Sequence, residues 1–280
     1  MPSTFHPSTA SPAPVGRRPS AGERAHGRLR VEGHLISTLA PDSFERDQYR
    51  VLCHFLEQSR GKTGSRVLAV TSAGVGDGKT TTAINLAVTM AQSAKTRVLL
   101  LDTDLRRPLV AANLGLEDPG PGLVGALLDT RHELAASVRP TPFHVDVLPA
   151  GPPPGNPYQV LDSSRVGELL DAARSIYDCV ILDTPPVLVV PDCRLMSQWV
   201  DGFVVVVAAH RTPRKLLAET LNALDPAKVL GIVFNKDDRP LSGSYKQYHA
   251  AYYRARPGHE PRRSFWSRFW RRSERQRPWR

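Results

Sequence analysis

The sequence is poor in cysteine and has no long hydrophobic run. Its 280 residues include three cysteines, Cys53, Cys179 and Cys193, whose odd number and wide spacing exclude a disulfide framework and a paired-cysteine zinc site. No run approaches the ~18 apolar residues of a membrane-spanning helix, and the N-terminus carries no apolar signal-peptide core. We therefore expect reduced thiols and a cytoplasmic location.

Acidic residues are also scarce. Lysine and arginine number 37 against 27 aspartates and glutamates, and the resulting charge of +10 is concentrated at the two ends. Residues 254–280 carry +8 and residues 1–41 carry +3, which leaves −1 for residues 42–253. The central part shows no base-reading module or basic groove, so nucleic acid is not the expected partner.

Composition divides the chain into four parts. Residues 1–41 are rich in Pro, Ser, Ala, Gly and Arg, which predicts a disordered segment. One folded domain is expected at 42–240, followed by a tyrosine cluster at 241–253 and a disordered, Arg- and Trp-rich basic tail at 254–280.

Apolar strands and amphipathic helices alternate through the central domain. Strands are predicted at 66–71, 98–101, 145–148, 179–182, 202–208 and 229–234, and helices at about 43–60, 80–93, 121–129, 131–138, 158–174, 191–198 and 213–224. This alternation predicts an α/β fold with a doubly wound, mostly parallel sheet.

A glycine-rich turn links the first strand to the second helix. It reads Ala73, Gly74, Val75, Gly76, Asp77, Gly78, Lys79, Thr80, Thr81. Backbone N–H groups of such a loop and the start of the helix bind phosphate, whereas an ordinary surface loop would not need Lys and Thr at these positions. We expect Lys79 to reach the β and γ phosphates of a nucleotide and Thr80 to hold Mg²⁺.

Three aspartates end two of the apolar strands. Asp102 and Asp104 follow one strand and Asp183 follows another, so all three are predicted to meet at the carboxyl edge of the sheet beside Lys79. One carboxylate could accept a proton from an attacking hydroxyl while another holds Mg²⁺. Arg106 and Arg107 fit either a phosphate or subunit contact or a solvated turn.

Together these residues resemble the Walker A, A′ and B motifs of the bacterial tyrosine kinases that regulate capsule and exopolysaccharide synthesis. The motifs are the loop 73–81, the strand ending Asp102-Thr103-Asp104-Leu105-Arg106, and the strand ending Asp183-Thr184-Pro185-Pro186. The resemblance implies a P-loop NTPase fold and transfer of the ATP γ-phosphoryl group to tyrosine. Lys79 and the three aspartates would be catalytic, and Asn235 would contact the base.

The same resemblance implies a phosphoacceptor cluster and two kinds of partner. The candidate acceptors are Tyr245, Tyr248, Tyr252 and Tyr253, whose spacing also fits a helix packed on the core. In the family a Glu-x-x-Arg-x-x-Arg pattern contacts other subunits. Here Asp47 and Arg50 match it and Cys53 departs from it. The family also acts with a separate transmembrane activator protein.

The basic tail and two rival functions complete the predictions. Phe265, Trp266, Phe269 and Trp270 share one face of a predicted helix, opposite arginines, which is typical of binding to an anionic membrane surface. An acidic polymer or a protein partner would fit the same segment. The rival functions are a ParA/MinD-like ATPase switch, whose signature lysine is replaced here by Gly74, and a nucleotide-gated scaffold.

Overall fold

The computed structural model describes residues 43–58, 66–92, 96–129 and 134–237. The predictions for residues 1–41, for the tyrosine cluster at 241–253 and for the basic tail at 254–280 lie outside the described residues. None of the helices in the described ranges has the length and apolarity that a membrane span requires.

The described strands form one twisted layer in the order β3-β4-β2-β5-β1-β6-β7. The strands are β1 Arg66–Ser72, β2 Val98–Asp102, β3 Arg139–Pro140, β4 Val145–Leu148, β5 Cys179–Asp183, β6 Gly202–Ala208 and β7 Val229–Asn235. All neighbouring strands are parallel except β3 and β4. The order is not sequential, so the sheet is doubly wound, as predicted.

Helices cover both faces of this sheet. They are α1 Phe44–Gln58, α2 Lys79–Gln92, α3 Val110–Leu114, α4 Gly122–Leu128, α5 Leu134–Ser137, α6 Pro157–Leu161, α7 Arg165–Ile176, α8 Asp192–Met196 and α9 Arg214–Asn222. Successive strand residues enter opposite cores: Val67 and Ala69 pack with α4 and α6 to α8, whereas Leu68 and Val70 pack with α1 to α3. The parallel strands are therefore apolar on both sides, which explains their unbroken hydrophobic runs.

The structure differs from the predicted elements in three places. The helix predicted at 158–174 is two helices, α6 and α7, separated by Asp162, Ser163 and Ser164. The Asn156 side chain caps α6 by accepting the N–H of Tyr158 at 3.1 Å. Helix α3 and the short antiparallel strand β3 were not predicted, because they contain only five and two residues and are too short to show an apolar period in the sequence.

The loop after β4 approaches the start of α4 closely. Leu123 and Val124 donate their N–H groups to the carbonyls of Pro149 and Ala150 at 2.7 and 3.0 Å. Gly151 has a φ of +83°, and a Cβ added there would collide with the Pro121 carbonyl. Only glycine combines this left-handed backbone with so short an approach.

We expect Gly151→Ala to lower the free energy of unfolding by at least about 2 kcal/mol, because it adds backbone strain to a clash with Pro121. Gly155→Ala is the matched control in the same loop, since nothing lies within 4 Å of a Cβ placed there. Urea unfolding of both variants measures the difference, and equal stabilities would contradict the assignment.

Candidate active site

The site is built on two neighbouring strands that end at the same level. Asp102 is the last residue of β2 and Asp183 the last of β5, and the two are paired in register. Both side chains are fully buried, and Asp104 is only 4% exposed. The parallel sheet therefore brings together the three aspartates that the sequence singles out.

Asp102 is fixed by backbone donors. Its Oδ2 accepts the N–H groups of Leu109 and Val110, each at 3.0 Å, and its Oδ1 accepts the N–H of Asp104 at 3.2 Å. The carboxylate thereby caps α3 from a distance and holds the turn that carries Asp104. Burial and the charge of Asp183 nevertheless raise the pKa of Asp102.

Asp183 has no such donors. Neither of its carboxylate oxygens has a hydrogen-bond partner among the described residues. Burial raises the pKa of Asp183 to about 6, and the nearby Lys79 charge and Thr80 hydroxyl only partly oppose this shift. A buried carboxylate that accepts no hydrogen bond, and whose nearest ammonium nitrogen is 3.9 Å away on Lys79, is costly unless a further cation accompanies it. These bare oxygens, beside the Thr80 hydroxyl, fit a hydrated Mg²⁺.

Lys79 lies between the carboxylates at the first turn of α2. Its Nζ is 2.8 Å from Oδ2 of Asp104 and 3.9 Å from Oδ1 of Asp183. Burial lowers the pKa of this ammonium group, but the charges of Asp183 and Asp104 and the hydrogen bond to Asp104 raise it more. Lys79 is therefore a firmly held positive charge at the mouth of the phosphate-binding loop.

The glycine-rich loop has the backbone that anion binding requires. Gly76 and Gly78 have φ angles of +82° and +97°. The Asn235 side chain donates to the Asp77 carbonyl at 2.9 Å and occupies the space where a Cβ of residue 78 would sit. Its predicted contact with a base stays a prediction. Thr81 continues α2 behind Lys79 and Thr80.

Two residues that contact this loop were missed at the sequence level. Lys236 donates from Nζ to the Gly76 carbonyl at 2.6 Å, and Thr212 donates from its hydroxyl to Oδ1 of Asp77 at 2.8 Å. No motif marks Thr212. Lys236 directly follows the predicted site residue Asn235, and this neighbouring position could have indicated that Lys236 also lies near the loop.

Arg106 and Arg107, predicted to contact phosphate or another subunit, have different partners in the structure. Arg106 makes a two-pronged ion pair with the buried Asp192, at 2.9 and 3.2 Å. Arg107 is exposed and contacts Asp104 through its backbone N–H at 3.1 Å. Asp192, which the sequence reading did not single out, thus ties the start of α8 to the turn after β2.

Helix α1 presents the predicted subunit-contact residues to its exposed side. Asp47 and Arg50 pair with each other at 3.1 Å. Cys53 is only 3% exposed and packs against α2 near the Leu86 carbonyl. The third position of the pattern therefore faces the core in this chain, where a surface arginine would not fit.

A dedicated protein cage for a metal is not what these residues provide. In the described part of the chain there is no group of three or more His, Cys, Asp or Glu side chains arranged around a metal position. Mg²⁺ is commonly bound by one or two carboxylates together with phosphate and water, so Thr80 and Asp183 would be enough protein ligands for it.

Comparison with known proteins gives a consistent result. Residues 68–257 match the CobQ/CobB/MinD/ParA nucleotide binding domain. The chain is 36% identical over 221 residues to the tyrosine-protein kinase YwqD of Bacillus subtilis, with 78% of this chain and 92% of that protein covered. It is 31% identical over 189 residues to the tyrosine-protein kinase CpsD of Streptococcus agalactiae, with 66% and 82% covered.

Solved structures agree with this result. The kinase domain of the Escherichia coli tyrosine kinase ETK superposes with a TM-score of 0.67 at 28% identity, covering 74% of this chain and 83% of that one. A ParA family ATPase from Chlorobium tepidum gives a TM-score of 0.54 at 21% identity over 63% of this chain and 76% of its own, which shows a shared fold. The resemblance read from the Walker motifs is confirmed.

The buried Asp183 predicts a pH-dependent stability. Its raised pKa means that the folded protein keeps a proton that the unfolded chain releases between about pH 4 and pH 6. The stability from this proton is complete below pH 4 and lost as the pH rises through about 6. Asp183→Asn stays neutral, so we expect its free energy of unfolding at pH 7.5 to exceed that of the parent by about 1–3 kcal/mol.

Urea unfolding without nucleotide at pH 4 and pH 7.5 measures this effect, and the difference should vanish at pH 4. Asp171→Asn, at an exposed position of α7, is the matched control and should change stability little at either pH. A loss of stability in Asp183→Asn at pH 7.5 would show that its charge is compensated in the folded protein.

Proposed function

Because this chain belongs to the CobQ/CobB/MinD/ParA nucleotide-binding family, and within it to the bacterial tyrosine-protein kinases, we propose that it is an ATP-dependent protein-tyrosine kinase that phosphorylates its own C-terminal tyrosines. The observation that carries this proposal is the position of Lys79, beside an anion-binding loop, between Asp104 in the turn after β2 and Asp183 at the end of β5. A phosphoryl donor, a divalent cation and an acceptor hydroxyl would meet at this position.

The charges and donors of the site suggest a division of roles. Loop N–H groups from Val75 to Thr81 would bind the ATP phosphates, with Lys79 neutralising the β and γ groups. Thr80 and Asp183 would hold Mg²⁺, and the metal would supply further neutralisation of phosphate charge. Asp102, bound by three backbone N–H groups, would keep the Asp104 turn in place.

The reaction itself needs one proton acceptor. The tyrosine oxygen would form a bond to the γ phosphorus as the bond between that phosphorus and the bridging oxygen breaks, and ADP would leave. The phenolic proton would pass to one of the aspartates. Asp104 fits this role, since its carboxylate is the least buried of the three.

We assign the acceptor role to Tyr245, Tyr248, Tyr252 and Tyr253. They follow Asn235 by only 10 to 18 residues in the sequence. Supplied by one copy to the active site of another, such a cluster would make phosphorylation depend on assembly. This assignment rests on the family resemblance and on the polar sequence around the tyrosines.

Assembly would use the exposed face of α1. Beside Asp47 and Arg50 this helix exposes Val51 and Phe55, to 63% and 49%, and a cavity of about 630 Å³ separates it from β7. Exposed apolar side chains of this size favour a protein contact over free solvent. We propose homo-oligomers and a separate transmembrane activator protein, with the basic tail adding contact to anionic lipid.

The cellular role that follows is control of capsular or exopolysaccharide synthesis and export at the inner face of the cell membrane. A longer relative, the tyrosine-protein kinase wzc of Salmonella typhi, is 31% identical over 220 residues, but this chain covers only 30% of it.

An ATPase switch of the ParA/MinD type is the second candidate function. The matching family model includes such proteins, and the fold is shared. The first part of the loop argues against it, because Gly74 stands at the signature lysine position and gives its N–H to Asp77. A nucleotide-gated scaffold would keep the same site without phosphoryl transfer.

Autophosphorylation with γ-labelled ATP and Mg²⁺ tests the proposal. We expect label on the tyrosine cluster, and a loss of at least about 100-fold in Lys79→Ala, because that variant removes a charge aimed at the transferring phosphoryl group. A variant with all four tyrosines changed to Phe should lose the label as well. Lys215→Ala, on the exposed side of α9, is the matched lysine control and should be labelled normally.

The assay is run with and without membranes that contain the activator, and label is mapped by mass spectrometry. Release of free phosphate without phosphotyrosine under both conditions would favour the ATPase switch. Nucleotide binding with neither product would favour the scaffold.

A further inference from the structure

The carboxylate of Asp77 points away from the centre of the phosphate-binding loop. Its Oδ2 accepts the N–H of Gly74 at 2.8 Å, across the mouth of the same loop. Its Oδ1 accepts the hydroxyl of Thr212 at 2.8 Å. The side chain is only 6% exposed, so these two donors decide where its charge lies.

Thr212 is itself held in one orientation by the end of β6. Its hydroxyl oxygen accepts the N–H of Ala208 at 3.0 Å, and its own N–H donates to the Ala208 carbonyl at 3.0 Å. The hydroxyl oxygen thus accepts a hydrogen bond from Ala208, and its single hydrogen is donated to Asp77. The position of Asp77 is thus set by a strand that carries none of the predicted site residues.

Two further side chains, at the end of β7 and directly after it, donate hydrogen bonds to the same part of the loop. Asn235 donates to the carbonyl of Asp77 at 2.9 Å, and Lys236 donates to the carbonyl of Gly76 at 2.6 Å. Both carbonyls are therefore turned outward, which leaves the intervening N–H groups directed toward the phosphate position. Lys236 has a left-handed backbone, with a φ of +58°, so the contact is formed at some conformational cost.

An anionic side chain inside a phosphate-binding loop needs such restraint. A carboxylate free to rotate would place its negative charge near the nucleotide phosphates and would weaken their binding. It would also release the start of the loop, which would then have to be ordered when the nucleotide arrives. Holding the carboxylate outward removes the repulsion and keeps the loop preformed.

We propose that Asp77 and Thr212 form a positioning pair that presets the phosphate-binding loop for nucleotide, with Thr212 acting only through Asp77. In this proposal neither side chain contacts the phosphates directly. The pair links the β6–α9 connection to the loop after β1. The inference rests on the nucleotide-binding part of the proposed function and is independent of whether the phosphoryl group goes to tyrosine or to water.

The test measures the affinity for ADP with Mg²⁺ by isothermal titration calorimetry on the full chain. We expect Thr212→Val to raise the dissociation constant about tenfold, which corresponds to about 1.4 kcal/mol. Thr212→Ser keeps the hydroxyl and should stay within about threefold of the parent. Thr220→Val is the matched control, because its hydroxyl donates to Leu216 within α9, and it should bind normally.

A double-mutant cycle separates positioning from general stability. If Thr212 acts through Asp77, the variant Asp77→Ala with Thr212→Val should bind ADP as Asp77→Ala alone does. In the kinase assay the KM for ATP of Thr212→Val should rise more than kcat falls. The melting temperature without nucleotide is recorded for every variant, so that a loss of folding is seen directly.

Normal ADP binding by Thr212→Val would overturn the proposal, and so would equal weakening by Thr212→Ser and Thr212→Val. Fully additive effects in the double variant would overturn the statement that Thr212 acts through Asp77. If Thr212→Val does not fold, Thr212→Ala, which also removes the hydroxyl, takes its place in the cycle with Asp77→Ala and decides the coupling. A chain that binds ADP as expected but forms no phosphotyrosine would refute the kinase assignment and leave this pair in place.

Discussion

Two carboxylates buried side by side, Asp102 and Asp183, are the constraint on which the rest of the site depends. The parallel register of β2 and β5 puts them next to each other in the buried interior, and Asp104 adds a third carboxyl group within reach of Lys79. In the described part of the chain one ammonium group faces three carboxyl groups. A second cation, or protonation of one carboxyl group, is needed to make this arrangement stable.

The sheet order places the phosphate-binding loop between two different sets of side chains. Strand β1 lies between β5 and β6, so the phosphate-binding loop leaves the sheet with acidic strand ends on one side and the ends of β6 and β7 on the other. The acidic side carries the chemistry. The other side supplies Thr212, Asn235 and Lys236, which hold the loop by its carbonyls and by Asp77. The residues proposed for phosphoryl transfer and the residues that hold the loop in shape therefore lie on opposite sides of β1.

Much of this could be read from the sequence, because the relevant signals are local. An apolar run that ends in aspartate marks both a buried parallel strand and the edge where ligands bind, so Asp102 and Asp183 were found together with the fold. The contacts that were missed are non-local: Thr212 reaches Asp77 across 135 positions, and Asp192 reaches Arg106 across 86. The break between α6 and α7 was missed because both pieces have the same apolar period.

The burial of the three aspartates affects which acceptor, water or tyrosine, the site can use for the phosphoryl group. Asp102 and Asp183 are fully buried and Asp104 nearly so, and hence bulk water has little access to the carboxylates that would activate a nucleophile. The ATPase relatives share the fold at 21% and 22% identity, so the sheet alone does not choose between water and tyrosine. A site that holds its bases in a dry interior favours an acceptor that brings its own hydroxyl and excludes the remaining water as it enters. A tyrosine side chain would meet that requirement, because its ring would displace solvent while its oxygen reached the carboxylates.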